Sequence, residues 1–160
     1  MKNIVLDVDT GIDDAMAIML AATWSKVRLL GISCVSGNVA LDQVVANTQG
    51  VLQLVGRPDV PVARGAEMPL VEKARNSSNV HGDDGLAGFM FEPDPEKCAA
   101  LPSASDLYRS ILESKSEPVI FVALAPLTNL ATFIRSFPSL AKKIDGIVFM
   151  GGAIGAGNAS

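Results

Sequence analysis

Asp7-Val8-Asp9-Thr10-Gly11-Ile12-Asp13-Asp14 is the stretch on which the reading of this chain turns. It follows an apolar run, Ile4-Val5-Leu6, and precedes Ala15-Met16-Ala17-Ile18-Met19-Leu20. The first run reads as a strand and the second as a helix. On a strand, side chains two apart share a face, so Asp7 and Asp9 point the same way. Gly11 permits a tight turn. Asp13 and Asp14 then open the helix, where a carboxylate can accept from free N–H groups and meets the positive end of the dipole. The remaining repulsion is large: one carboxylate pair about 4 Å apart costs on the order of 4 kcal/mol at an effective dielectric near 20. A hard cation held by oxygen ligands, Ca²⁺ or Mg²⁺, relieves it. The expectation is strand, turn, helix, with a metal site at the carboxyl end of the first strand.

The other segments repeat this alternation. Strands are predicted over residues 3–9, 27–35, 60–63, 119–124 and 144–150, and helices over 13–24, 41–55 and 105–113, with a fourth helix entered through Ala125-Pro126-Leu127-Thr128-Asn129 and ending near Arg135. Helix two carries Leu41, Val44, Val45, Thr48, Val51, Leu52 and Val55 near helical period and stops at Gly56-Arg57-Pro58. Pro61 implies that the short third strand lies at a sheet edge or pairs only at its ends. The continuous apolar runs Val119–Leu124 and Ile144–Met150 read as strands buried on both faces. Met16 and Met19 read as core filler on helix one. Ser103 or Ser105 caps the 105–113 helix, and Thr128 and Asn129 read as caps of the helix that follows them sooner than as ligand contacts. Residues 64–102 lose periodicity and form a long loop region of the functional or mobile kind.

This alternation implies an α/β fold, a mostly parallel sheet with helices on both faces, within one domain spanning 1–160. Ligands of such sheets bind beyond the carboxyl ends of the strands. Polar clusters fall there four times: Asp7/Asp9, Ser36/Asn38, Thr128/Asn129 and Gly151 to Asn158.

Composition narrows the partners. Of 160 residues, 49% are hydrophobic and 19% charged, which makes the chain globular. A net charge of −4 without a Lys/Arg run argues against nucleic acid and anionic membrane. The first apolar run is too short for a signal peptide, and no apolar stretch is long enough to span a bilayer. Cys34 and Cys98 lack paired spacing and read as buried small hydrophobes. A cytoplasmic setting is expected.

Asp7 to Ala15 resembles the N-terminal signature of the inosine–uridine-preferring nucleoside hydrolases. Val35-Ser36-Gly37-Asn38, His81-Gly82-Asp83-Asp84-Gly85-Leu86, Ala125-Pro126-Leu127-Thr128-Asn129-Leu130 and Val148-Phe149-Met150-Gly151-Gly152, with Gly157-Asn158, resemble later family segments in the same order. The resemblance implies a Rossmann-like nucleoside hydrolase core, Ca²⁺ as cofactor, a ribonucleoside substrate cleaved to ribose and free base, and a homo-oligomer, dimer or tetramer. It implies that Asp9 is both a Ca²⁺ ligand and the general base for the attacking water, that Asp14 is a second ligand, and that the backbone carbonyl of Leu124 is a third. Asp13 would hold a ribose hydroxyl and Asn38 would lie in the ribose and water network. Met150 and Asn158 would contact the ribose, and Asp7 would support the cluster. His81, the sole histidine, reads equally as a loop hydrogen-bonding residue and as a substrate contact. Asn38 reads equally as a turn residue after Gly37.

Two departures from the pattern stand out. The family has Thr-Gly where this chain has Leu124-Ala125, and Ala125 would be strained if its φ were positive. The family also continues past the last match with a Glu, an Asn and a His–Asp pair, so the chain corresponds to the N-terminal half of a hydrolase. Two other readings stand beside this one: a Ca²⁺- or ribose-binding remnant without catalysis, and a haloacid-dehalogenase-like Mg²⁺ phosphatase. The latter also opens with Asp-x-Asp but needs Thr or Val where Gly11 stands.

Overall fold

The computed structural model of the chain describes residues 1–71, 73, 78–152 and 154–155. The elements run β1 (Lys2–Val8), α1 (Ile12–Thr23), β2 (Val27–Cys34), α2 (Leu41–Leu54), β3 (Val62–Arg64), α3 (Ser78–His81), α4 (Pro95–Ala99), α5 (Ala104–Ser114), β4 (Val119–Ala123), α6 (Thr128–Ser136), α7 (Pro138–Ala141) and β5 (Ile144–Phe149). The sheet has the order β3-β2-β1-β4-β5 with every pair parallel. Strand order reverses between β1 and β4. Their carboxyl ends flank the crevice where sheets of this kind bind ligands.

The strand period of two divides the core. On one face, Ile4, Leu6 and Val8 of β1 and Leu29, Ile32 and Cys34 of β2 pack with Ala15, Ile18 and Ala22 of α1 and Val44, Val45 and Val51 of α2. On the other, Val5, Val119, Phe121 and Ala123 pack with Leu107, Tyr108, Ile111 and Leu112 of α5 and Leu130 and Phe133 of α6. The α5 residues follow the three-to-four spacing of an amphipathic helix, and each contributes roughly 1.5–3 kcal/mol of burial. Of the two serines expected to cap this helix, Ser103 does so, accepting from Asp106 N at 3.1 Å. Tyr108 is locked edge-on against Phe121 and Phe133, with ring centroids 4.9 and 5.3 Å apart.

Several expectations are corrected. The third strand lies two residues later than predicted, and it is an edge strand as Pro61 implied. Ile32 N donates to Pro61 O at 2.9 Å, and the ladder continues only once the chain again has N–H groups to give. The segment 64–102 contains the short helices α3 and α4. In β4, Phe121 and Ala123 are buried but Ile120 and Val122 only half so. In β5, Val148 and Phe149 are 60% and 56% exposed. Both runs carry the apolar sequence of a doubly covered strand, yet Ile120 and Val122 of β4 pack only in part against the α1/α2-side core and no residue of β5 is fully buried. Met16 is 68% exposed and Met19 37%, because α1 turns Ala15, Ile18 and Ala22 inward instead. Ala125 is not strained: among the described residues only Ala87 is a non-glycine with positive φ.

Candidate functional site

Three carboxylates of the opening stretch are buried at the β1/β4 switch point: Asp7 at 1%, Asp9 at 8% and Asp14 at 1% exposure. Their surroundings differ. Asp7 Oδ1 accepts from Ser33 Oγ at 2.6 Å and from Asn129 Nδ2 at 2.8 Å. Ser33 Oγ also shares a 2.5 Å hydrogen bond with the Tyr108 hydroxyl. Asp7 Oδ2 is buried with no partner among the described residues. Burial pushes the Asp7 carboxyl up to about 6, against the opposing hydrogen bonds from Ser33, Asn129 and Tyr108.

Asp9 is held from the β2 side. Asn38 N donates to Asp9 Oδ2 at 2.9 Å, and Asn38 Nδ2 donates to Asp9 O at 3.2 Å. A Cβ at position 37 would overlap the Asp9 carboxylate, so this approach requires Gly37. Asn38 is therefore more than a turn residue.

Asp14 lies in the first turn of α1. Its Oδ2 accepts from Gly11 N at 3.1 Å, which caps the helix entry, while its Oδ1 is buried and unpartnered among the described residues. Gly11 itself has φ −94°, an ordinary value. A Cβ there would crowd Asn38 Nδ2 at 2.7 Å and His81 Nδ1 at 2.9 Å, so space and not turn geometry makes this a glycine. Burial, and then the charge of Asp9, push Asp14 up to about 8. Asp9 is raised too, first by burial.

Asp13 is the outward member, with a 63% exposed side chain 3.8 Å from His81 Nε2. His81 is the more buried partner. Its Nδ1 accepts from Ile12 N at 3.3 Å, which places the ring proton on Nε2. Further ties pin the neighbouring segment: Asn47 Nδ2 donates to Asp84 O at 2.8 Å and to Thr10 O at 3.2 Å, and Gln43 Nε2 donates to Phe91 O at 2.8 Å. Asp84 takes no part in the acidic cluster. Its Oδ1 accepts from Leu86 N and Gly88 N, closing a local turn and holding its carboxyl below the usual range.

Leu124 follows β4 directly, and its N–H donates to Asp7 O at 2.9 Å, which brings it to the same rim. Met150 follows β5, donates to Ala123 O at 3.0 Å and is 63% exposed. The predicted ribose contact Asn158 lies outside the described residues.

The donors suit a hard cation in kind. Asp9 and Asp14 are adjacent, desolvated and mutually repelling, and Asp14 Oδ1 is buried with no hydrogen-bond donor among the described residues. In number they are few. Asp7 is committed to Ser33 and Asn129 and Asp13 faces outward, so among the described residues no three His, Cys, Asp or Glu side chains form a metal cluster. Two carboxylates and one backbone carbonyl leave most of the six to eight oxygens that Ca²⁺ takes to other donors.

Ser33, Tyr108 and Asn47 were not singled out by the sequence for this site, and Asn129 was placed on the rim as a cap or ligand contact, not as a partner of Asp7. A serine inside the apolar β2 run was the one local signal. Asn129, expected as a cap, does not cap: α6 begins after Leu127 with no side-chain cap.

The sequence model described as inosine-uridine preferring nucleoside hydrolase matches residues 4–160. The pyrimidine-specific ribonucleoside hydrolase RihA of Salmonella schwarzengrund is 39% identical over 155 residues, covering 97% of this chain and 50% of that protein. Among solved structures, an inosine-guanosine nucleoside hydrolase superposes with a TM-score of 0.87 at 35% identity over 99% of this chain and 52% of the other. A purine-preferring ribonucleoside hydrolase from Gardnerella vaginalis gives 0.84 at 31% identity over 95% and 49%. The chain thus spans about half the length of the relatives it matches.

Proposed function

Because this chain belongs to the inosine-uridine preferring nucleoside hydrolase family, we propose that it supplies the carboxylate half of a Ca²⁺-dependent site that hydrolyses the N-glycosidic bond of ribonucleosides to ribose and free base. The observation that carries this is the buried Asp9–Asp14 pair at the switch point, with Asp14 Oδ1 unpartnered among the described residues. Asp9, Asp14 and the Leu124 carbonyl would hold the ion. When bound, Ca²⁺ neutralises the carboxylates and makes the attacking water more acidic.

The rest follows from the residues themselves. Asn38 N fixes Asp9 Oδ2 and leaves Oδ1 to take the water's proton, as a general base within hydrogen-bond reach must. Asp13 is exposed and accepts from a ribose hydroxyl. His81, anchored through Nδ1, offers its Nε2 proton to the substrate. Met150 packs against the sugar, and Asn158 adds an amide. Positive charge growing on the ribose is stabilised by the surrounding carboxylates, as in other glycosidic cleavages.

The relatives' names diverge over the base: pyrimidine-specific, purine-preferring and inosine-guanosine. The substrate class proposed is therefore the ribonucleoside, recognised by its ribose. The short donor set favours a second reading for the 160 residues alone, Ca²⁺ and ribose binding with little turnover. Exposed Met16, Leu20, Val148 and Phe149 support a homo-oligomeric state.

Titration calorimetry with Ca²⁺, then with ribose, tests the proposal alongside an assay of inosine and uridine cleavage. Wild type is expected to bind Ca²⁺, and Asp9→Ala to lose at least about ten-fold in affinity, the loss of one of few ligands. Absent Ca²⁺ binding, or binding unchanged by Asp9→Ala, refutes the site. Robust ribose release by the purified chain overturns the binding-only reading.

A further inference from the structure

The Asn129 side chain is far from ordinary for an asparagine in the first turn of a helix. It is 4% exposed, makes no helix cap, and uses its amide in both directions. Nδ2 donates to Asp7 Oδ1 at 2.8 Å and to Cys34 O at 3.1 Å. Oδ1 accepts from Ala66 N at 2.9 Å. One carboxamide thereby joins the ends of β1 and β2, the segment after β3, and its own helix α6.

We infer that Asn129 is the positioning residue of the carboxylate site, a clasp that sets the spacing of the β1 and β2 ends and through them the Asp9–Asn38 contact. Asp7 stands two residues before Asp9. Cys34 leads into Val35-Ser36-Gly37-Asn38, the loop whose Asn38 N–H holds Asp9. Ser36 N donates to Ala66 O at 2.9 Å, so the residue that Asn129 grips by its N–H grips that same loop by its carbonyl. Asn129 touches neither Asp9 nor the place of the substrate; it acts through Asp7, Cys34 and Ala66.

The chemistry of the side chain is specific. The three neighbours present two acceptors and one donor, and a neutral amide satisfies all of them. A carboxylate at 129 has no proton for Asp7 or Cys34 O and adds an anion against Asp7. An apolar side chain takes one of two donors from Asp7 Oδ1 and removes the amide contacts of Cys34 O and Ala66 N. Neutrality matters as well, because a cationic clasp would compete with a metal ion for the carboxylates. Gly65 belongs to the same device. A Cβ there would overlap both amide atoms of Asn129 and the Cys34 carbonyl, so the chain passes over the clasp only as glycine.

This inference rests on the proposed Ca²⁺ site for its second readout and on the metal-free fold for its first. Asn129→Asp, Asn129→Leu and Gly65→Ala are compared with wild type by amide hydrogen exchange without metal and by Tb³⁺ and Ca²⁺ titration. The clasp predicts that Ala66 and Asn38 N–H exchange about ten-fold faster in a protein that remains folded, one lost buried hydrogen bond being worth that much. It also predicts a fall in ion affinity of about ten-fold or more, as for other partners behind a ligand shell. A merely structural role lowers the melting temperature and leaves both the Asn38 exchange and the affinity of the folded fraction unchanged; that result overturns the inference. If wild type binds no ion, the proposed function fails, while Asn38 exchange still decides the clasp. If the Asn129 variants do not fold, Gly65→Ala decides by the same two readouts.

Discussion

Replacing Asp7 with asparagine separates the cost of a buried charge from the value of the contacts around it. In wild type, burial lifts the Asp7 carboxyl from 3.8 to about 6. For an acid whose folded value is raised, the native state holds its proton longer than the unfolded chain does, so stability falls as pH rises from about 4 to about 6 and levels off above. A shift of roughly two units at about 1.4 kcal/mol each makes the fall about 3 kcal/mol. Asp7 is 1% exposed, so solvent screening removes little of this. Asp7→Asn abolishes the dependence. Its carbonyl can still accept from Ser33 and Asn129, but its NH₂ takes the place of Oδ2, which has no partner among the described residues. That unmet donor costs about 1–3 kcal/mol at every pH. The signature is therefore a slope and not an offset. In urea unfolding with a chelator present, the variant should be less stable than wild type at about pH 4, and the difference should move in the variant's favour by about 3 kcal/mol by about pH 7.5. Titrating groups that do not feel the Asp7 charge cancel in the comparison. A difference that stays flat, or moves the other way, refutes the assignment of Asp7 as a buried, desolvated carboxyl.

Two further outcomes follow from the same geometry. Gly37→Ala drives a methyl into the Asp9 carboxylate, and calorimetry should show Ca²⁺ affinity reduced about ten-fold with the fold retained; unchanged affinity would mean that Asp9 does not need the Asn38 approach. His81→Ala removes the acceptor for Ile12 N, worth about 1 kcal/mol, so limited proteolysis within residues 82–91 should run several-fold faster; an unaltered cleavage rate would show that Asn47 and Gln43 hold that segment unaided.

Local pattern carried most of the fold and about half of the site. β1 and α1 were legible because an apolar run, a glycine and two acids occur within a few residues of one another. The parallel sheet was legible from alternation, and with it the convergence of Asp9, Asn38 and Leu124 on one rim. Thr128/Asn129 was legible as a rim cluster, but the bond from Asn129 to Asp7 was not, because it spans 122 positions and its own neighbourhood looks like an ordinary helix start. α3 and α4 were missed because helices of four and five residues have no period to detect. The exposure of β5 was misread for another reason. Its sequence is that of a covered strand, and composition reports what a strand is built to meet, not what lies against it among the described residues. Met16 failed likewise: an apolar residue on an amphipathic helix can lie outside the stripe that the sheet buries.

The raised carboxylates bear on how this rim becomes a site. With Asp14 pushed up to about 8 and Asp9 raised beside it, the pair at neutral pH shares protons rather than holding two full charges. In the proposed site a cation held by the pair would displace the proton that burial keeps on Asp14, so ion binding and proton release would be linked. Each acid accepts from one backbone N–H, Asp9 from Asn38 and Asp14 from Gly11, but the contact between the two carboxyls lowers Asp9 and raises Asp14, so the ionised form falls to Asp9. The two acids differ in role because their neighbours differ, and those neighbours are set by the turn after β1, the loop after β2 and the clasp that holds the two at their working distance.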